Sequence, residues 1–253
     1  MKKSVLNFRL IGVGIASVLI VSLGSCKKED LLDDILKPTE PVEATPPPFP
    51  SVANSDGTLV AIRSQTTQNT QIGPITTQIG LGVAVFYETP GATTFLDAGT
   101  VVLNELALTK QSNNSYAFQP SASNASGIDF TGGSSWNVSG TADVAAFAFA
   151  PSISFPSLDA VSSGETVNKS NGYTLTTTGV IGADSVIFQV GTVLKTVAGN
   201  ATSCTFSSSE LSGLSTGTSI VQIAAYKMQN ETITSKNYYF INESVVTKTV
   251  TVE

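Results

Sequence analysis

Apolar and polar positions alternate with a period of two along most of the chain from Thr58 onward. The clearest run is Ile79, Leu81, Val83, Val85 and Tyr87, interleaved with Gly80, Gly82, Ala84 and Phe86. Successive side chains on a strand point to opposite faces, so this spacing predicts a long strand with one heavy face. Shorter segments predict further strands at Thr58–Arg63, Thr100–Leu103, Leu106–Lys110, Tyr116–Phe118, Ser135–Val138 and Val144–Phe149. Turn residues part them: Pro90-Gly91, Asn113-Asn114, Gly132-Gly133 and Gly140. Short strands spaced about 8–12 residues apart, without helical periods, predict an antiparallel sandwich.

The pattern breaks near Ala150–Pro156. Pro151 and Pro156 bracket Ser152–Phe155, and neither suits a central strand. The second half then predicts strands at Tyr173–Thr177, Val186–Val190, Val193–Val197, Cys204–Phe206, Ser219–Tyr226, Thr232–Ile241 and Val245–Val252. Ser207-Ser208-Ser209-Glu210 has capping-box spacing and predicts one helical turn before Leu211. The expected architecture is all-β, with two antiparallel β-sandwich domains at residues 52–150 and 151–253. Leu211-Ser212-Gly213-Leu214, then Gly217-Thr218, then Ile220 to Tyr226, resembles the entry to the penultimate strand of immunoglobulin-like and fibronectin type III modules. Ile220 stands where those modules carry a tyrosine. The resemblance implies an Ig-like sandwich for residues 151–253 and brings no active site with it.

The N-terminal residues read differently. Lys2, Lys3 and Arg9 precede an apolar run from Leu10 to Leu23, interrupted only by Gly12, Gly14, Ser17 and Ser22. Those 14 residues fall short of the roughly 20 that a helix needs to cross a bilayer. A basic start, a short apolar middle and a small-residue exit predict a secretory signal peptide over residues 1–25. Its exit, Leu23-Gly24-Ser25-Cys26, resembles a bacterial lipobox. That resemblance implies cleavage before Cys26 and a diacylglyceryl group, with chains such as palmitate, on its sulfur. The other reading is an incidental cysteine in an ordinary signal or an uncleaved anchor. Each buried methylene contributes about 0.8 kcal/mol and one chain alone binds marginally, so two or three chains would hold the protein at a bilayer.

Lys27-Lys28-Glu29-Asp30, followed by Leu31-Leu32-Asp33-Asp34, resembles the charged tether of Bacteroidetes surface lipoproteins. This implies an outer-membrane address with display on the cell surface. The alternatives are attachment facing the periplasm, or a charge run that merely keeps the tether solvated. Residues 26–51 read as a linker, with six of the 11 prolines at positions 38, 41, 46, 47, 48 and 50. At about 3.1 Å per residue, an extended stretch from Lys27 to Ser51 reaches roughly 75 Å.

Composition narrows the chemistry. The chain has no histidine, which excludes Ser-His-Asp and Cys-His catalysis and imidazole-ligated zinc. From Ser51 onward it carries seven basic and 13 acidic side chains, net −6, with no basic patch for nucleic acid. With Cys26 acylated, Cys204 has no partner for a disulfide and reads as a small apolar strand residue. No phosphate-loop, dinucleotide, zinc-protease or calcium-loop motif is present, so no catalytic residue, metal ligand or cofactor is assigned. Trp136, the only tryptophan, shares a strand face with Val138 and reads as core rather than as a sugar-stacking platform. Tyr238 and Phe240 share one strand face and Tyr239 takes the other, so one face is expected in the core. Asp184-Ser185-Val186 resembles the O-glycosylation sequon of Bacteroidetes, which implies a glycan on Ser185; the alternative is that Ser185 begins a strand.

The expected function is non-enzymatic. A lipid-anchored protein would present its sandwiches on a stalk to a glycan, to an envelope protein or as an accessory to an envelope complex. A purely structural envelope lipoprotein is the second reading. A hydrolase using two facing carboxylates is the third.

Overall fold

The structure is a computed structural model that describes residues 52, 54–70, 73–118 and 120–253. Cys26, the signal segment and the charged, Pro-rich linker lie outside the described residues. Two 14-residue strands open the fold, β1 (Gly57–Thr70) and β2 (Gly73–Phe86). Short strands follow: β3 (Val101–Leu103), β4 (Leu106–Ala107), β5 (Thr109–Lys110), β6 (Tyr116–Ala117), β7 (Trp136–Val138) and β8 (Phe147–Phe149). The second half adds β9 (Ser157–Leu158), β10 (Thr166–Val167), β11 (Tyr173–Thr176), β12 (Val180–Ile181), β13 (Ser185–Val190), β14 (Val193–Ala198) and β15 (Ser203–Phe206). A single helical turn, α1 (Ser208–Leu211), precedes two 17-residue strands, β16 (Gly217–Ile233) and β17 (Lys236–Val252). No helix among the described residues is long and apolar enough to cross a membrane.

The fold is all-β, as the alternation predicts. Its organiser is one nine-stranded sheet in the order β14-β13-β16-β17-β1-β2-β6-β5, with β10 also pairing β17. Most pairings are antiparallel, but β1 runs parallel to β17 from Gly57↔Tyr238 to Thr67↔Lys248. The two halves set apart in the sequence therefore share one sheet, and the described residues form one compact unit.

Each half nevertheless keeps its own core on the front face of that sheet. The four-stranded sheet β4-β3-β7-β8 covers one end. There Val101, Leu103, Trp136 and Val138 pack against Leu59, Ala61, Phe86, Tyr238 and Phe240. The small sheets β11-β15 and β12-β9 cover the other end. Leu175, Phe188, Phe206, Leu211, Val221, Ile223, Val246 and Val250 form that second core. Ser207 caps α1 as its sequence predicts, with Glu210 returning a carboxylate to the Ser207 backbone N–H. Leu211 and Leu214 are thereby seated in the second core.

The heavy face of β2 lies on the back of the sheet, although Leu81 also touches the first core. Leu81 and Val83 join Val60, Ile62, Ile187, Ala224, Tyr226, Ile241 and Val245 in a third cluster on the back face, against which Val52 also packs. The light face of β2 meets the front cover because that cover comes too close for side chains. A Cβ on Gly80 would collide with the Ile128 carbonyl, and one on Gly82 would lie 2.6 Å from Leu103.

Two polar residues bind the halves at the middle of β17. Asn242 and Ser244 are buried on the front face. Asn242 accepts from Ser134 Oγ at 2.7 Å and donates to the Ile153 carbonyl at 2.8 Å. Ser244 donates to the Pro156 carbonyl at 2.7 Å. The connector that breaks the alternation is thus pinned to the shared sheet by side chains. Glu243, between them, faces the back cluster, and neither carboxylate oxygen has a hydrogen-bond partner among the described residues.

Candidate functional site

The two front covers do not meet, and a groove runs between them. Its cavity is about 660 Å³. Three central strands supply the floor, in registered rows. Gly80, Arg63 and Ser244 form one row and Gln78, Gln65 and Val246 the next. The walls are Ser126–Thr131 and Pro156 on the side of the first core and Leu158 on the other. A smaller hollow of about 170 Å³ continues past Gln65 and Val246 to Thr67, Lys248 and Glu165.

Arg63 is the one charged residue in β1 and the only arginine after Arg9. Alternation places it on the front face two residues after the buried Ala61, where the first cover ends and the floor opens. Its guanidinium donates to the Phe130 carbonyl at 2.5 Å and lies 4.1 Å from the Phe155 ring centroid. Partial desolvation lowers the pKa of Arg63, and the neighbouring Asp129 opposes that shift. Asp129 is held below the usual carboxylate range, first by the Thr131 hydroxyl and then by the Thr131 backbone N–H. At the far end, Lys248 lies 3.6 Å from Glu165 and donates to the Ser163 carbonyl. The groove is charge-balanced, with one cation and one carboxylate near each end.

Hydrogen-bonding groups dominate the floor between them. Gln65 and Gln78 face each other across β1 and β2. Thr67 and Thr76, the next pair, share a hydrogen bond at 3.1 Å. Phe130 is the aromatic residue of the groove lining among the described residues, and it is buried. Every Phe, Tyr and Trp among the described residues is at least partly buried, and Phe155 is flanked by Arg63 and Phe130.

The residues singled out in the sequence lie elsewhere. Trp136 is 1% exposed in the first core, as its strand position predicts, and its indole N–H has no acceptor among the described residues. Tyr238 and Phe240 are buried beside it and Tyr239 is half-buried on the other face. Cys204 is half-buried against the second core, and burial pushes its thiol pKa up. Ser185 is half-buried and opens β13, its hydroxyl donating to the Asp184 carbonyl at 2.7 Å. None of these lines the groove. Among the described residues no cluster of three His, Cys, Asp or Glu side chains could hold a metal ion.

Sequence reasoning missed Arg63, Gln65 and Gln78. One signal was legible: a lone arginine in an otherwise uncharged alternating strand. The glutamines sit in Ser64–Thr70 and Gly73–Gln78, polar and Thr-rich runs that lack the apolar alternation of a recognisable strand. No family model, curated protein or solved structure matches the chain.

Proposed function

We propose that this is a lipid-tethered, non-enzymatic binding protein of a bacterial outer membrane, presenting the groove across its shared sheet as the ligand site. The observation that carries the reading is the floor of that groove. Arg63, Gln65 and Gln78 lie side by side between the two covers, and the Phe130 carbonyl and the Phe155 ring hold the Arg63 guanidinium in place before any ligand arrives. The balanced charges favour an uncharged or zwitterionic polar ligand. With the Phe130 ring buried, the site binds through hydrogen bonds.

Acylated Cys26 supplies the tether, and the charged, Pro-rich linker supplies reach on the cell surface. The lipobox Leu23-Gly24-Ser25-Cys26 supports the first point and Lys27-Lys28-Glu29-Asp30 the second. The exposed large apolar residues argue against a purely structural packing role. Ile75, Ile181 and Leu194 sit on β2, β12 and β14, scattered rather than gathered into a patch. A hydrolase would need two facing carboxylates. The groove's acids are Asp129, tied to Thr131, and Glu165, beyond the second row of the floor.

Three experiments test the reading. Membrane fractionation of Cys26→Ser should move the protein from the detergent phase to the soluble fraction; continued partition into detergent removes the tether. External protease on intact cells should digest the wild type, and survival places it on the periplasmic side. Arg63→Ala should then weaken a ligand identified by screening about tenfold or more, while leaving the melting temperature within a few degrees.

A further inference from the structure

The groove ends at a stretch of sheet edge that no described residue pairs with. The outward-facing backbone groups of β2 belong to its even-numbered residues. The Phe86 carbonyl accepts from Leu96, the Gly82 carbonyl from Phe118, and Gly80 donates to Ser126 and accepts from Ile128. Strand β6 pairs β2 at Val83 and Ala84, and Gly127 bridges Gly80 in parallel. Beyond Gly80 the next outward residues are Gln78 and Thr76. Neither has a backbone partner on that side among the described residues. Each offers one N–H and one C=O. At position 74 the proline has no N–H, which closes the row.

Protein edges are normally blunted by charge, and the other edges of this sheet are. Lys195 stands on β14, bonded to Glu210, and Lys110 on β5, paired with Asp97. Strand β2 carries no charged residue over all 14 positions. Thr76 and Gln78 are exposed. Unprotected edge backbone of this kind takes up an added strand. The Ser126–Ile128 segment shows that geometry already in use, pairing parallel to β2 at the adjoining residue.

We propose that an extended peptide segment of a partner protein adds to β2 at Thr76 and Gln78, collinear with Ser126–Ile128. The free stretch is too short for the edge of a second folded copy, whereas a peptide can enter it and pass a side chain over Gln78 into the groove. Pairing positions of the peptide must carry an N–H, and small or β-branched residues suit them. This deepens the binding reading of the groove but does not rest on the lipid anchor.

The experiment pans a phage-displayed linear heptapeptide library against the full purified chain. Binding of the recovered peptides is then measured by fluorescence anisotropy. Gln78→Pro removes the outward N–H without touching the hydrogen bonds to β1, at an edge position where proline is tolerated. Gln78→Ala removes only the side chain. The expected result is at least tenfold weaker binding to Gln78→Pro than to Gln78→Ala, so that the loss is read on the backbone N–H beyond whatever the side chain contributes, and equal melting temperatures for the two. A scan of N-methylated peptides should show losses at every second residue. The proposal is overturned if no peptide is recovered, if both variants bind alike, or if the scan lacks alternation. It is equally overturned if the wild type forms a dimer that Gln78→Pro abolishes. Cys26→Ser is expected to leave peptide binding unchanged, so failure of the tether and failure of the edge site are read separately.

Discussion

Glu243 is the residue most at odds with its surroundings. It is fully buried on the back face, opposite Ile62 on β1 and Tyr226 on β16, with Ile241 and Val245 beside it on β17. Burial alone raises its pKa well above the ordinary value of 4.5. A raised folded pKa means that the native state holds its proton more tightly than the unfolded chain. This contribution to stability is complete below 4.5 and is lost as pH rises towards the folded value. Glu243→Leu should therefore stabilise the protein by about 1–3 kcal/mol at neutral pH, with a smaller gain at pH 4. Urea unfolding at the two pH values checks this, and a variant less stable than wild type at neutral pH would refute it. Asp97 behaves in the opposite sense. Lys110, the Gly99 N–H and the Tyr116 hydroxyl hold it at about 2, below its ordinary 3.8. Its stabilisation is present above 3.8 and lost as pH falls towards 2. Asp97→Asn should flatten the acid limb of the melting-temperature profile in that window, and an unchanged limb would show that the group is inert.

At the level of elements, the spacing of β2 is the instructive case. Its period identified a strand and its heavy face, but not which layer that face would meet. The glycines decide this: Gly80 and Gly82 admit the front cover at backbone distance, so the bulky residues turn to the back. Gly80→Ala should cost about 1–3 kcal/mol, because the added methyl meets the Ile128 carbonyl rather than a yielding side chain. Denaturant titration measures the cost; a neutral result would mean that the 126–131 wall is free to shift. The hairpin of β16 and β17 was misread in the sequence for a related reason. Three strands were expected where two long ones exist. Thr234 and Ser235 make the turn in the left-handed region, φ 49° and 68°, without a glycine or proline to announce it. The polar run Asn242-Glu243-Ser244, expected between strands, sits in mid-strand because two of its side chains hold the connector between the halves.

For the whole molecule, the shared sheet makes one prediction that separate sandwiches would not. Trp136 lies in the first core and Leu175 in the second. If the parallel pairing of β1 with β17 couples the cores, unfolding is a single transition. Leu175→Ala, at a fully buried site, should then cost about 2–5 kcal/mol and shift the Trp136 fluorescence transition by the same amount as the circular dichroism transition. Divergence of the two probes would show independent cores.

The alternation of side chains by itself determined the all-β class, most strand positions, the buried place of Trp136 and the capped turn at Ser207. These depend on neighbours a few residues apart, and local spacing carries them. Which strands from opposite ends of the chain lie side by side was decided only by tertiary structure. So were the common sheet beneath two cores and the assembly of Arg63, Gln65, Gln78 and Ser244 into one floor. Those contacts join residues up to about 180 positions apart, as Arg63 to Ser244 does. Their energy comes from surfaces that a linear pattern does not bring together.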